Sequence, residues 1–142
     1  MASLKPDLVV LAIAATKGET FALSAARRDE TGIATFFRLI ETTNPIPPGV
    51  LGSQGIPMAA MLSARAIGAA REDLLAFLPS NGIFISHDAD SMRAWVRNTL
   101  PGVFEHIILS TRELAGILFP SVGSHELRGL TESLGLQMLT AT

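Results

Sequence analysis

The run Leu8–Thr16, LVVLAIAAT, constrains the fold of this chain more than any other stretch. It is almost wholly apolar and lies close to the N-terminus. At nine residues it suits a strand buried on both faces, the central strand of an α/β sheet. Its alternating positions Ala12 and Ala14 carry only methyl groups, so one face of that strand brings no chemistry of its own. Two turn signals follow. Lys17-Gly18-Glu19 predicts a tight turn with Gly18 at positive φ, and Asp29-Glu30-Thr31-Gly32 predicts a second hairpin turn. Between and after them, Thr20–Arg27 (Phe21, Leu23 and Ala25 on one face) and Ala34–Thr42 read as strands two and three. The chain therefore starts as an antiparallel meander.

Asn44-Pro45-Ile46-Pro47-Pro48-Gly49 reads as an extended surface loop, continued by Gly52–Pro57. Met58–Leu78 is expected to be mostly helical with a break near Gly68. Leu74, Leu75, Phe77 and Leu78 form its inner stripe, with Arg71, Glu72 and Asp73 on the wet side. Pro79–Gly82 is a turn and Ile83–Ser86 a short strand. His87-Asp88-Ala89-Asp90 leads into a helix to about Asn98, with Met92, Trp95 and Val96 inward and Asp88 or Asp90 as its cap. Glu105–Ser110 is a fifth strand, and Thr111–Phe119 a helix stopped by Pro120. Ser124 caps a last helix with Leu127, Leu130 and Leu134 inward, closed by Gly135.

The order β-β-β-α-β-α-β-α-α implies a mixed sheet with helices on its faces. A length of 142 residues fits one domain spanning 1–142. Apolar residues make up 48% and charged residues 17%, so the chain is globular rather than disordered. No apolar run reaches the length of a membrane span, no signal-peptide pattern opens the chain, and there is no cysteine. A cytoplasmic setting without a membrane partner is expected. The net charge of −2 argues against a strongly basic nucleic-acid-binding face.

Three segments, in order, resemble the DnaQ-like 3′→5′ exonucleases, a family with a ribonuclease H-like fold that includes the epsilon subunit of DNA polymerase III. Asn44-Pro-Ile-Pro-Pro followed by Gly55-Ile56 is similar to that family's "NP…IPP…GI" loop. Ile85-Ser-His-Asp-Ala is similar to its "vaHNa" segment. Ser124-His-Glu-Leu with Leu130 and Leu134-Gly135-Leu136 is similar to its "sHsL…L…lGi" helix. The resemblance runs from about Asp7 to Leu136. It implies a three-layer α/β/α ribonuclease H-like domain with a five-stranded mixed sheet.

The same resemblance implies a two-metal phosphoryl-transfer centre of four carboxylates, and there the sequence departs. The D-x-E positions of strand one read Ala12 and Ala14, and the helix aspartate reads Met92. The late His and Asp would fall just past Thr142. Methyl groups do not ligate magnesium. The expectation is thus a catalytically inactive exonuclease-like domain without cofactor, an interaction module in DNA replication or repair. Its partners would be single-stranded DNA or a fused or associated helicase or polymerase. Family members also occur fused to DinG-type helicases, which makes an excised N-terminal piece of such a protein an expectation too. Two alternatives stand beside it. One is an active Mg- or Mn-dependent exonuclease using surrogate acids, with Asp88, Asp90 and Glu19 the nearest candidates. The other is a structural dimerisation domain using an apolar patch or the edge of strand three.

Four residues are candidates for nucleic-acid contact: Arg93 and Arg97, which share a helix face at i, i+4; Trp95 as a stacking platform; and His87. Each has a plainer role. The arginines read as solvated charge, Trp95 as core, and the His87–Asp90 cluster as a strand end and helix cap. Arg27, Arg28, Lys17 and Arg38 could form a basic rim on the meander. His106 has no partner in sequence, and His125 reads as a surface or packing residue. Met58 and Met61 read as gap-fillers beside the region that borders the substrate cleft in active relatives. No G-x-S-x-G elbow or phosphate-binding loop occurs.

Overall fold

The computed structural model describes residues 6–80, 82–99, 108–123 and 125–136. Five strands form one mixed sheet in the order β3-β2-β1-β4-β5. Contacts divide the chain into two compact units, Met1–Gly82 and Ile83–Thr142.

The first unit is the meander and its cover. β1 (Asp7–Thr16), β2 (Glu19–Asp29) and β3 (Gly32–Leu39) pair antiparallel, with Leu8 opposite Arg28 and Ala22 opposite Leu39. Both connections are two-residue hairpin loops. At the first, Lys17 (φ 51°) joins Gly18 (φ 79°) in the left-handed region, the pairing of signs a type I′ turn requires. At the second, Asp29 Oδ1 accepts from the Thr31 N–H (2.8 Å) and hydroxyl (2.5 Å). β1 lies centrally, as read from the sequence, but it is not buried on both faces. Val9 and Leu11 are buried, whereas Val10 and Ala12 are exposed. β2 is the more enclosed strand, with Phe21, Ala22, Leu23 and Ala25 all buried.

The proline-rich segment corrects the sequence reading. Pro48–Ser53 is a short helix, α1, rather than a continuation of the loop. Pro48 occupies its first turn, where a fixed φ suits the helix and the missing N–H has no partner to lose. Leu51 of α1 packs with Phe21, Ala22, Leu39 and Ile46 in one apolar cluster. Met58–Ser63 is a 3₁₀ turn, and α2 runs Ile67–Phe77. The break lies at Ala64–Ala66, where Arg65 bridges in parallel to Ile40, so Gly68 sits inside α2. Leu74 is fully buried. Asp73 is half-buried rather than wet: its Oδ2 accepts from Arg38 Nε (3.1 Å) and Arg65 Nη1 (2.6 Å). The Arg38 guanidinium also lies 4.5 Å over the Phe36 ring. Arg27 donates to the Phe77 carbonyl at 2.7 Å. Two of the four residues proposed for a basic rim are therefore held inward by α2.

The second unit holds β4 (Gly82–Ser86, its first residue closing the other unit), α3 (Ala89–Thr99), β5 (Ile108–Ser110), α4 (Thr111–Leu118) and α5 (Leu127–Ser133). β4 and β5 pair in parallel, Phe84 opposite Ile108. Met92, Trp95 and Val96 of α3 are buried, as the helical spacing predicts. Ser110 caps α4 by accepting from the Glu113 N–H. In α5 only Leu130 is buried; Leu134 is half-buried and Leu127 is 44% exposed, so the expected inward stripe is narrower than read. Ser124, His106 and the first half of the expected fifth strand lie outside the described residues.

Candidate functional site

In the first unit, Val10, Ala12 and Ala14 share a face of β1. The register sets Ala12 beside Ser24 and Ala14 beside Ala22, with a bulge between Ala14 and Ala15. Ser24 in turn sits beside Phe37, and Ala22 beside Leu39. This stretch of the meander carries no ionisable side chain. Ala12 is exposed and Ala14 half-buried.

Next to it, a cleft of about 400 Å³ opens between the end of β3 and the 3₁₀ turn. Ile46, Leu51 and Met61 form its apolar floor, and Glu41 and Asn44 its polar rim. Met58 also lines it and is 62% exposed, so this methionine fills no core gap. One wall is fixed from across the sheet. Glu19 accepts the Thr43 N–H at 2.9 Å and the Asn44 N–H at 3.3 Å, and the Thr43 bond above all holds the Glu19 carboxyl below its ordinary pKa. A cleft lined this way offers apolar contact at its floor and hydrogen bonds at its rim. It contains no paired nucleophile and base.

In the second unit, His87 stands where β4 ends. Its Nε2 lies 2.6 Å from the His125 carbonyl and its Nδ1 2.9 Å from the Thr111 hydroxyl. A carbonyl only accepts, so Nε2 carries a proton, and Nδ1 shares the second bond with the Thr111 hydroxyl. Ser110 Oγ donates to the His87 carbonyl at 3.2 Å. His125 Nε2 is bonded to the Phe119 carbonyl. Asp88 caps α3, accepting the Ser91 N–H at 3.2 Å and its hydroxyl at 2.9 Å. Those bonds, the backbone one foremost, lower its pKa, helped by Arg112 and His87. Asp90 pairs with Arg93 at 2.7 Å, and Arg93 also donates to the Ile108 carbonyl.

Of the residues singled out in the sequence, the structure joins His87 to Thr111 and to the backbone of His125. Arg93 is tied to its own helix and to β5. Arg97 is exposed on α3, while Trp95, at 8% exposure, packs its ring inside. The three acids weighed as surrogate ligands, Glu19, Asp88 and Asp90, each serve a neighbouring backbone or arginine. Thr111 and the Glu19 clamp had no sequence signal, because each acts on a group more than twenty residues away.

No protein-family model matches the chain, and no curated protein matches it. Solved structures do. Exonuclease X in complex with 5′-overhanging duplex DNA is similar at TM-score 0.65 and 18% identity, over 94% of this chain and 76% of that one. A 3′-exonuclease that recognises the 3′ end of a histone mRNA stem-loop gives 0.70 at 13%, over 95% and 72%. A full-length 3′-exonuclease gives 0.67 at 11%, over 98% and 74%. The fold is exonuclease-like.

An exonuclease-like fold of the ribonuclease H type raises the question of whether this chain's residues fit divalent metals. Among the described residues, no group of three or more His, Cys, Asp or Glu side chains could hold a metal ion. Ala12 and Ala14 bring hydrocarbon. Met92 brings a soft thioether that is 1% exposed within the second unit. Hard cations require oxygen ligands. The residues at these positions do not fit a two-metal centre.

Proposed function

We propose that this exonuclease-like domain is not a nuclease but an interaction module for nucleic acid or protein, working in DNA replication or repair as part of, or beside, a larger helicase-type protein. The observation that carries the reading is the residue set Ala12, Ala14 and Met92 at positions where the family resemblance places carboxylates. The local bonding of Glu19, Asp88 and Asp90 supports it, since each would have to abandon a cap, a clamp or an ion pair to serve a metal. Nucleic acid is supported as a partner class by the exposed Arg97 and by the two similar structures whose names include DNA and mRNA.

The test pairs calorimetric titration of manganese with digestion of 5′-labelled single-stranded DNA. Intact DNA and no two-site manganese isotherm are expected. Metal-dependent shortening from the 3′ end would overturn the proposal. Fluorescence anisotropy then addresses the partner: Arg97→Glu should weaken single-stranded DNA binding, and log affinity should fall linearly with log salt.

A further inference from the structure

β3 is the outermost strand on its side of the sheet. Which of its backbone groups face outward follows from one bond. The Ile40 N–H donates to the Phe21 carbonyl at 2.8 Å, and bonded and non-bonded pairs alternate along an antiparallel ladder. With Ala22 opposite Leu39, residues 38, 36, 34 and 32 bond to β2, while Leu39, Phe37, Thr35 and Ile33 turn their N–H and C=O groups outward. Two further bonds agree. The Leu39 carbonyl accepts the Arg65 N–H (2.9 Å), and the Phe37 carbonyl accepts Arg38 Nη1 (2.8 Å).

The edge is thus covered at one end and open at the other. Arg65 closes it at Leu39–Glu41, where the Glu41 N–H donates to the Arg65 carbonyl at 2.9 Å. From Ile33 to Phe37 no backbone partner occurs among the described residues. Apart from the Arg38 guanidinium on the Phe37 carbonyl, the usual protections of an exposed edge are missing there. The stretch has no proline, lysine or bulge, and the one charge on β3, Arg38, is folded onto Asp73 and Phe36. Ile33 is 61% exposed and Phe37 37%.

We propose that this edge pairs with the same edge of a second copy of the chain, antiparallel about a two-fold axis at Thr35. The stretch is self-complementary about that residue. Ile33 falls opposite Phe37 of the second copy on one face, a β-branched–aromatic pair, and Thr35 falls opposite Thr35. Ala34 falls opposite Phe36 on the other face. The hairpin turns back toward its own β2 at the level where Arg65 occupies the edge, so the bridge and the turn do not compete for space. The pairing holds whether or not the domain cleaves nucleic acid.

Sedimentation equilibrium tests it. The expected mass is twice the 15.0 kDa of the chain. Thr35→Pro, which removes an outward N–H and leaves the ladder to β2 intact, and Thr35→Glu, which sets two carboxylates face to face, should each raise the dissociation constant at least about tenfold. Circular dichroism checks that both fold. The chain has no cysteine, so a nitroxide on Thr35→Cys reports the axis directly: Cβ atoms paired across strands lie about 5 Å apart, and strong dipolar broadening is expected. This reading decides the matter should the other variants not fold. A monomer at every soluble concentration, a dimer unmoved by both substitutions, or unbroadened spectra would overturn the proposal.

Discussion

Removing the Asp88 carboxylate leaves the first turn of α3 without the acceptor that now serves the Ser91 N–H and hydroxyl. Loss of such a cap costs about 0.5–2 kcal/mol, so Asp88→Ala should lower the thermal midpoint, measured by circular dichroism at neutral pH. The same group sets a pH dependence. Its pKa is lower folded than unfolded, so the unfolded chain binds the proton more readily in acid. The stability it confers is complete above the unfolded value and is lost as pH falls through the folded one, in the region below about pH 4. Glu19, Asp29 and Asp73 are shifted in the same direction, each first by a hydrogen bond: from the Thr43 N–H, the Thr31 side chain and Arg38. Acid should therefore destabilise the wild-type protein more steeply than Asp88→Ala, and a smaller gap between their melting temperatures at about pH 3 than at pH 7 checks this.

Among the elements, the first hairpin invites improvement. Lys17 bears a side chain at a left-handed φ of 51°, where asparagine is far better tolerated and Asn-Gly is the preferred type I′ pair. Lys17→Asn should stabilise by about 0.5–1 kcal/mol, seen as a higher urea midpoint at unchanged slope. Turns of this kind were the legible part of the chain. Gly18 and Gly32 announced the hairpins, and the spacing of Met92, Trp95 and Val96 announced the inner face of α3. The misread elements share a cause: local signals that tertiary neighbours reverse. Three prolines before Gly49 read as an end to regular structure, yet Pro48 begins a helix because Leu51 gains a core beneath it. Val10 read as buried from its apolar neighbours, yet the alternation of β1 leaves it exposed. Leu127 fits a helical stripe in a helix too short to bury one. At the candidate site, Ala12, Ala14 and Met92 are singled out by the family resemblance alone. The bonding of His87 to Thr111 and to the His125 backbone could not be read from the sequence, because nothing in either segment encodes the other.

For the whole molecule, charge and edge act together. A net charge of −2 and a pI near 5.9 give little long-range repulsion between copies. If copies pair through β3, folding and association are linked, and the melting temperature should rise with protein concentration for the wild type but not for Thr35→Glu. Differential scanning calorimetry over a hundredfold dilution series reads this directly. Among the described residues no helix is long and apolar enough to cross a membrane.

The parallel bridge between Ile40 and Arg65 has a bearing on alignment as well as on structure. An uninterrupted strand edge admits neighbours in many alignments, and such slippage favours aggregation. By closing the edge beyond Phe37, the Arg65 backbone shortens the stretch on which the proposed pairing could slide. Its contribution would lie in register.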